Sequence, residues 1–375
     1  VGLFFGFLLL ISCNNRPVDN LHDQSSKDAK KLSAYNPEFA TGFKIFESGD
    51  GLILEIFLSP EITSHPYKYY LHKSGTSGSD EMQGMIPLNL PIQKIVCMSA
   101  SHVAFMDALD ETGKIVGVSS AAYVVSDRFD AYFNSGKIKE IGVGDQFDME
   151  ALIQLQPDLV MVAPYKGQAY EQVSNAGMVV VPNGDFMEPH PLGRAEWIKV
   201  VGVLTGKEKQ ADSIFKRIRE EYFRLKELTA NVQSKPTVVC GKQYGGFWNI
   251  PGGNSYVARF LTDAGATYLW QDNPRKGSFP MDFETVFTKG YNADYWRFLY
   301  YGDYPMSYEG LKGEDARYAE MMAFKNRKVL ACNTKLTPYY QKGLLEPQVI
   351  LADYIHIFHP ELLPDHQNVY FHFLP

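Results

Sequence analysis

Residues 191–231 read PLGRAEWIKVVGVLTGKEKQADSIFKRIREEYFRLKELTAN, the longest helix-periodic run in the chain. Apolar residues recur at Trp197, Val201, Leu204, Ala211, Ile214, Ile218, Tyr222 and Leu225. The steps are three and four except across Thr205-Gly206, where a turn is expected. Thr205 and Glu208 have the S/T-x-x-E form of a capping box, which predicts a second helix from that turn to about Thr229. Lys226 suits the negative end of the helix dipole, and Pro236 blocks continuation. At about 1.5 Å per residue this second segment spans about 30 Å, the width of a small domain. Alternating strand and helix signals lie on both sides of it. Periodicity alone fits two readings: a link between two α/β blocks, or a surface helix of one large domain.

Length and composition set bounds. A chain of 375 residues exceeds the size at which one core stops growing, so two domains are expected. Aromatic residues make up 14% of the chain, with 23 Tyr and 24 Phe, enough to furnish a ligand cleft as well as a core. The net charge of −7 without a basic block argues against nucleic acid as a partner. Residues 1–11 form an apolar run too short to span a bilayer as a helix. The run ends in Leu10-Ile11-Ser12-Cys13, which resembles a bacterial lipoprotein signal. That resemblance implies removal of residues 1–12, lipidation of Cys13 and a place in the cell envelope or periplasm, anchored to a membrane. Residues 13–36 are polar and read as a flexible tether. Cys97, Cys240 and Cys332 lie in apolar strand-like runs and read as buried thiols, with a Cys240–Cys332 bridge left open. No CxxC is present.

Taken in order, residues 37–90 read as a small antiparallel β extension with strands at 43–46, 52–58 and 67–72. Strands at 94–98, 115–118, 138–141, 159–163 and 178–182 then alternate with helices at 101–109, 149–156 and 168–176. After the long helical stretch come strands at 237–241, 293–300 and 329–332 and helices at 255–264, 283–289, 317–323 and 345–358. Strands separated by helices imply parallel sheets, and open parallel sheets bind ligands beyond the carboxyl ends of their strands. The expected units are 37–90, a first lobe at 91–190, the linking region 191–231 and a second lobe at 232–375.

Five segments, in order, carry a family resemblance: MEALIQLQPDLVMVAP (149–164), VGVLTGKEKQADSIFKRI (201–218), PGGNSYVARFLTDAGATYLW (251–270), FETVFTKGYNADYW (283–296) and EPQVILADYIHIFHPELLP (346–364). Over residues 91–364 the chain resembles the substrate-binding proteins of ABC importers that take up ferric siderophores, haem and cobalamin. The resemblance implies an α/β fold of two lobes with mostly parallel sheets, joined by one long helix, with the ligand cleft between them. It implies a monomer whose partners are an ABC permease dimer with its ATPase, and a metal chelate as cargo rather than a cofactor. It also implies that Glu150 and Glu284, at the starts of matching helices, dock on permease arginines; on the residues alone each is an acidic group favoured by a helix dipole.

Loops after strands supply the cleft candidates: Ser101, His102, Tyr123, Tyr165 and Lys166 in the first lobe, and Trp248, Tyr304, Lys335 and Tyr339 in the second. Flat aromatic walls with a few polar groups suit a bulky chelate, and Lys166, Arg275 and Lys335 would face an anionic one. His102 and His190 are candidates for haem iron, whereas no spacing suggests a site for a bare metal. His356 and His359 read as structural. Pro251-Gly252-Gly253-Asn254-Ser255 lacks full nucleotide-binding spacing, and no G-x-S-x-G, H-E-x-x-H or Walker motif occurs. The expected function is capture of a ferric siderophore for an ABC permease, without catalysis. Cobalamin and haem are the alternative cargoes, the first disfavoured because no tryptophan precedes either docking glutamate. An enzyme modifying a chelate or glycan is the alternative from another class.

Overall fold

The computed structural model describes residues 1, 36–59, 62–72, 84–142, 148–164 and 171–375. The signal, Cys13, most of the tether, Tyr165, Lys166 and residues 144–147 lie outside the described residues.

Two five-stranded sheets form the framework. The first has spatial order Lys139–Glu140, Ile115–Val118, Ile95–Cys97, Leu159–Val162, Val180–Pro182, and all its pairings are parallel. Its three strands Ile95–Cys97, Leu159–Val162 and Val180–Pro182 are buried at every position, as continuous apolar runs in a covered parallel sheet must be. The second has order Thr267–Tyr268, Thr237–Cys240, Tyr295–Tyr300, Val329–Asn333, His372–Phe373, parallel except at its last strand. Cys97, Cys240 and Cys332 are buried free thiols, so the Cys240–Cys332 bridge is not formed.

Between the two sheets in sequence run helices Pro191–Glu196, Ile198–Thr205 and Glu208–Leu228. The expected capping box is not made. Thr205 ends the preceding helix and its hydroxyl donates back to the Val201 carbonyl at 2.8 Å, while Gly206 takes the left-handed conformation at φ 76°. The helix that follows starts from Lys207 with no side-chain cap. The corner is tight because Gly202 lies against Ala211: a Cβ at Gly202 would come within 2.6 Å of the Ala211 Cβ. Helix Glu208–Leu228 buries Ala211, Phe215, Ile218, Tyr222 and Leu225, a stripe in steps of four and three. That stripe packs on helix Ile198–Thr205 and on the closing helix Pro347–Phe358.

The extension differs from expectation in one strand. Phe43–Ser48, Gly51–Ile56 and Tyr67–His72 are antiparallel, but a fourth strand, Ile86–Asn89, joins Tyr67–His72 in parallel. Sequence also missed a three-stranded antiparallel sheet of Gln243–Tyr244, Phe247–Pro251 and Ser278–Met281, and the helix Tyr308–Glu314. The helix expected at 317–323 is instead a 3₁₀ segment, Ala316–Glu320, then one turn, Met322–Lys325, broken by extended Met321.

Two buried glutamates hold the chain leading into the extension. Glu196, fully buried, accepts the N–H groups of Glu38, Phe39 and Ala40 at 2.8–2.9 Å and faces the Lys199 ammonium at 2.9 Å. Glu188 accepts the N–H groups of Thr41 and Gly42 and the Trp197 indole N–H at 2.8–2.9 Å. A buried charge is tolerated only with such a full set of donors. Glu196→Ala strands three N–H groups and one ammonium at once. The expected loss is about 3–5 kcal/mol in urea denaturation, with faster amide exchange at 38–40; a loss below about 1 kcal/mol would mean that the segment is held by other contacts.

Candidate functional site

The carboxyl ends of strands Thr237–Cys240, Tyr295–Tyr300 and Val329–Asn333 open onto a cavity of about 760 Å³. Lys242, Tyr256, Tyr300, Tyr301, Thr334 and Tyr340 are among its walls, and Arg297 lies at its floor. Arg297 is 4% exposed. Its Nε donates to the Tyr354 hydroxyl at 2.9 Å, its Nη2 to the Tyr339 hydroxyl at 3.4 Å, and the guanidinium lies 4.6 Å from the Phe371 ring centre. No carboxylate pairs with it among the described residues. Arginine stays protonated in proteins, so this is a buried positive charge held by neutral groups alone.

A second guanidinium stands nearby. Arg194 reaches Asp185 at 3.4 Å through Nη2 and lies 4.3 Å from the ring centre of Tyr256, which lines the cavity. Its Nε is buried without a hydrogen-bond partner among the described residues. Asp185 also accepts from the Ser101 hydroxyl at 2.9 Å. Burial raises the Asp185 carboxyl pKa, with Arg194 and Ser101 pulling the other way. Arg194, behind the cavity wall formed by Tyr256, is thus paired with Asp185, while Arg297 at the cavity has no carboxylate partner among the described residues. The halves of the chain also meet directly: the Val125 N–H donates to Gln341 Oε1 at 2.7 Å, and the Tyr123 and Tyr301 rings pack edge-on at 6.3 Å.

The structure separates the expected contact residues into three groups. Tyr123 and Tyr304 are exposed, and Lys335 pairs with Asp303 while lying over the Tyr301 ring at 5.5 Å. Ser101 and Tyr339 are buried but act behind the cavity, through Asp185 and Arg297 respectively. His102 and Trp248 turn into the interior. Trp248 donates to the Cys240 carbonyl at 3.0 Å and packs among Phe283, Trp296 and Tyr318. Arg275 stacks on Phe279 at 4.7 Å. His190 caps helix Pro191–Glu196 through Nδ1, and His356 and His359 bond the Leu363 and Gly265 carbonyls. Sequence reasoning missed Arg194, Tyr256 and Arg297. One signal pointed to the last: an arginine in the otherwise apolar, aromatic strand YWRFLY.

Glu150 and Glu284 occupy matching places. Asp148 caps the first helix by accepting the Ala151 N–H at 3.0 Å, and Asp282 caps the second by accepting the Thr285 N–H at 2.7 Å. Each glutamate is exposed in the first turn that follows. Glu284 also meets Arg317 at 2.9 Å. Among the described residues there is no group of three His, Cys, Asp or Glu side chains able to hold a metal ion, and no helix long and apolar enough to cross a membrane.

A family model described as periplasmic binding protein matches residues 95–336. An uncharacterized lipoprotein of Methanocaldococcus jannaschii is 27% identical over 299 residues, covering 76% of this chain and 69% of its own. Two solved structures share the fold at 19% identity. A TroA-like periplasmic binding protein FepB from Veillonella parvula aligns with TM-score 0.56 over 76% of this chain and 95% of its own. A protein of the ABC-type Fe3+-hydroxamate transport system from Saccharomonospora viridis aligns with TM-score 0.57 over 72% and 94%.

His102 provides a test of the interior. It is 0% exposed and neither ring nitrogen has a hydrogen-bond partner among the described residues. Burial lowers its pKa from 6.5 to about 3, offset only partly by the nearby Met161 backbone. The unfolded chain takes up a proton near pH 6.5 and the folded ring does so only near pH 3. The stability tied to the neutral ring is therefore present above pH 6.5 and lost as pH falls toward 3, at about 1.4 kcal/mol per pH unit at most. In urea denaturation at pH 7 and 4.5, His102→Leu is expected to match the parent at pH 7 and to lose less on acidification. An unchanged pH dependence would refute the neutral, buried imidazole.

Proposed function

Because the chain belongs to the periplasmic binding protein family, we propose that, as the substrate-binding protein of an ABC importer, it captures an anionic ferric chelate of the siderophore class between its lobes. The observation that carries this reading is the floor of the cavity. Arg297 lacks a carboxylate partner among the described residues, so an anionic cargo would complete the charge balance. The surrounding tyrosines offer flat walls with hydroxyl edges, which suit aromatic chelating arms such as catecholates. Burial of His102 supports ferric chelate over haem, since that histidine does not face the cavity. Cobalamin lacks the anionic rim that the Arg297 guanidinium would select.

In this reading the protein binds and presents cargo, and no bond is made or broken. Glu150 and Glu284 dock on the permease, their exposed carboxylates giving orientation and faster encounter. Docking of Glu284 requires exchange of its Arg317 contact for a permease cation. Cys13 carries the lipid anchor, a reading supported by the lipoprotein name of the archaeal relative.

One series of measurements tests binding and docking separately. Ferric-chelate titration followed by tyrosine and tryptophan fluorescence is paired with an uptake assay in cells. Arg297→Gln is expected to weaken chelate binding by about tenfold or more while its melting curve stays cooperative. Glu150→Ala with Glu284→Ala is expected to keep affinity and to lose most uptake. Unchanged affinity in the first variant would defeat the anionic-cargo reading, and full uptake in the second would defeat the docking assignment.

A further inference from the structure

We propose that Tyr244 and Phe247, at the tip of a β-hairpin beside the tyrosine-rich cavity, are the specificity-determining residues of the cleft. Their rings stack on aryl arms of the chelate and so favour a catecholate-type ligand over an anionic ferric chelate that has no rings. The inference deepens the ferric-chelate reading of that cavity and rests on it.

The hairpin consists of strands Gln243–Tyr244 and Phe247–Pro251, with Gly245-Gly246 as its turn. Both glycines have positive φ, 59° and 86°, as the turn whose twist matches paired strands requires. A Cβ added at either would meet nothing within 4 Å, so the tip stands in open space. Its base is fixed. Trp248 is fully buried and donates to the Cys240 carbonyl, and the Gln243 N–H donates to the Tyr318 hydroxyl at 3.1 Å. Residues 248–251 also pair with strand Ser278–Met281.

Register decides where the tip side chains lie. Tyr244 and Phe247 are cross-strand partners and share one face of the hairpin. Alternation along each arm puts Lys242 and Asn249 on that same face, and Gln243 and Trp248 on the other. Lys242, Tyr244 and Asn249 all line the cavity. The face that carries Phe247 is therefore the cavity face, and Phe247 prolongs the aromatic wall outward.

Exposure sets these two rings apart from the rest of that wall. Tyr244 is 82% exposed and Phe247 57%. Tyr301 already meets the Tyr123 ring and the Lys335 ammonium, and Tyr340 meets Tyr339. Tyr244 and Phe247 meet no other ring or cation among the described residues. Two adjacent aromatic side chains left in water gain from a ligand that covers them with flat apolar faces. Each ring has only two torsions to fix, and the anchored base holds both at the cavity edge before cargo arrives, so little ordering opposes stacking. Selection is thereby divided. Arg297 answers to the charge of the chelate, and the hairpin tip answers to its rings.

Calorimetry on the purified full chain tests this with two anionic probes, a ferric tris-catecholate siderophore and ferric citrate, which has no ring. The parent is expected to bind the catecholate more tightly. Tyr244→Ala with Phe247→Ala is expected to weaken catecholate binding by about tenfold or more and to leave ferric citrate within about twofold of the parent. Tyr244→Phe with Phe247→Tyr, which keeps both rings, is expected to hold the parental affinity. Unchanged catecholate affinity in the double alanine variant, or an equal loss for both probes, would overturn the proposal. So would unchanged affinity with lost uptake in cells, which would make the tip a permease contact. A parent that binds neither probe would instead defeat the ferric-chelate reading itself, and the assignment of the tip with it.

Discussion

The geometry of this protein depends on one apolar stripe along helix Glu208–Leu228. Ala211, Phe215, Ile218, Tyr222 and Leu225 face inward together, and each large apolar side chain removed from water is worth about 1.5–3 kcal/mol as an upper estimate. Their burial places one helix against helix Ile198–Thr205, which follows the first sheet, and against the closing helix Pro347–Phe358, which follows the second. At the far end Asp263 ties the same helix to the second half through the Tyr222 hydroxyl at 3.0 Å and Lys226 at 3.1 Å. The relative position of the two sheets, and hence the width of any space between their strand ends, is set by this packing.

Buried charge is distributed unevenly around that frame. Glu188, Glu196 and Asp353 are inside but surrounded by donors. Asp353 accepts the N–H groups of Val369, Tyr370 and Phe371 as well as facing His366, which fastens the C-terminal segment. These carboxylates are structural because every lone pair that needs a donor has one nearby. Arg194 and Arg297 are different. Among the described residues, one has a long contact to a single carboxylate and a buried, unpartnered Nε; the other has only tyrosine hydroxyls and an aromatic face. A fold that satisfies its buried anions so fully and leaves its buried cations wanting carries a signal of function, and the signal points to an anion brought in from outside.

Much of the architecture was legible in the sequence, for physical reasons visible in particular segments. Strands such as Leu159–Val162 and Thr237–Cys240 carry apolar runs, and Asp148 and Asp282 mark the starts of helices Met149–Leu155 and Phe283–Gly290 as side-chain caps do. The strand Ile86–Asn89 was missed because Pro87, inside it, and Pro91, beyond it, read as the close of the extension. The Thr205 cap was misread because Gly206, in the left-handed conformation, ends one helix before the next begins. The cleft was harder. Choosing residues by position after a strand brought in His102 and Trp248, whose rings turn to the core, because loop position does not fix side-chain direction. Arg297 lies within a strand, where a buried charge is expected to be excluded, so its role emerges only from the partners that the fold places around it.

The central claim is that Arg297, a buried guanidinium without a carboxylate partner among the described residues, selects an anionic ferric chelate of the siderophore class. Native mass spectrometry of the full chain tests it most directly, after exposure to an equimolar mixture of ferric hydroxamate, ferric catecholate, hemin and cobalamin. The account expects one adduct per chain, with the isotope pattern of iron and the mass of the ferric catecholate, the anionic siderophore of the set. Selection of the uncharged ferric hydroxamate, cobalamin or hemin, or retention of none of the four, would contradict it.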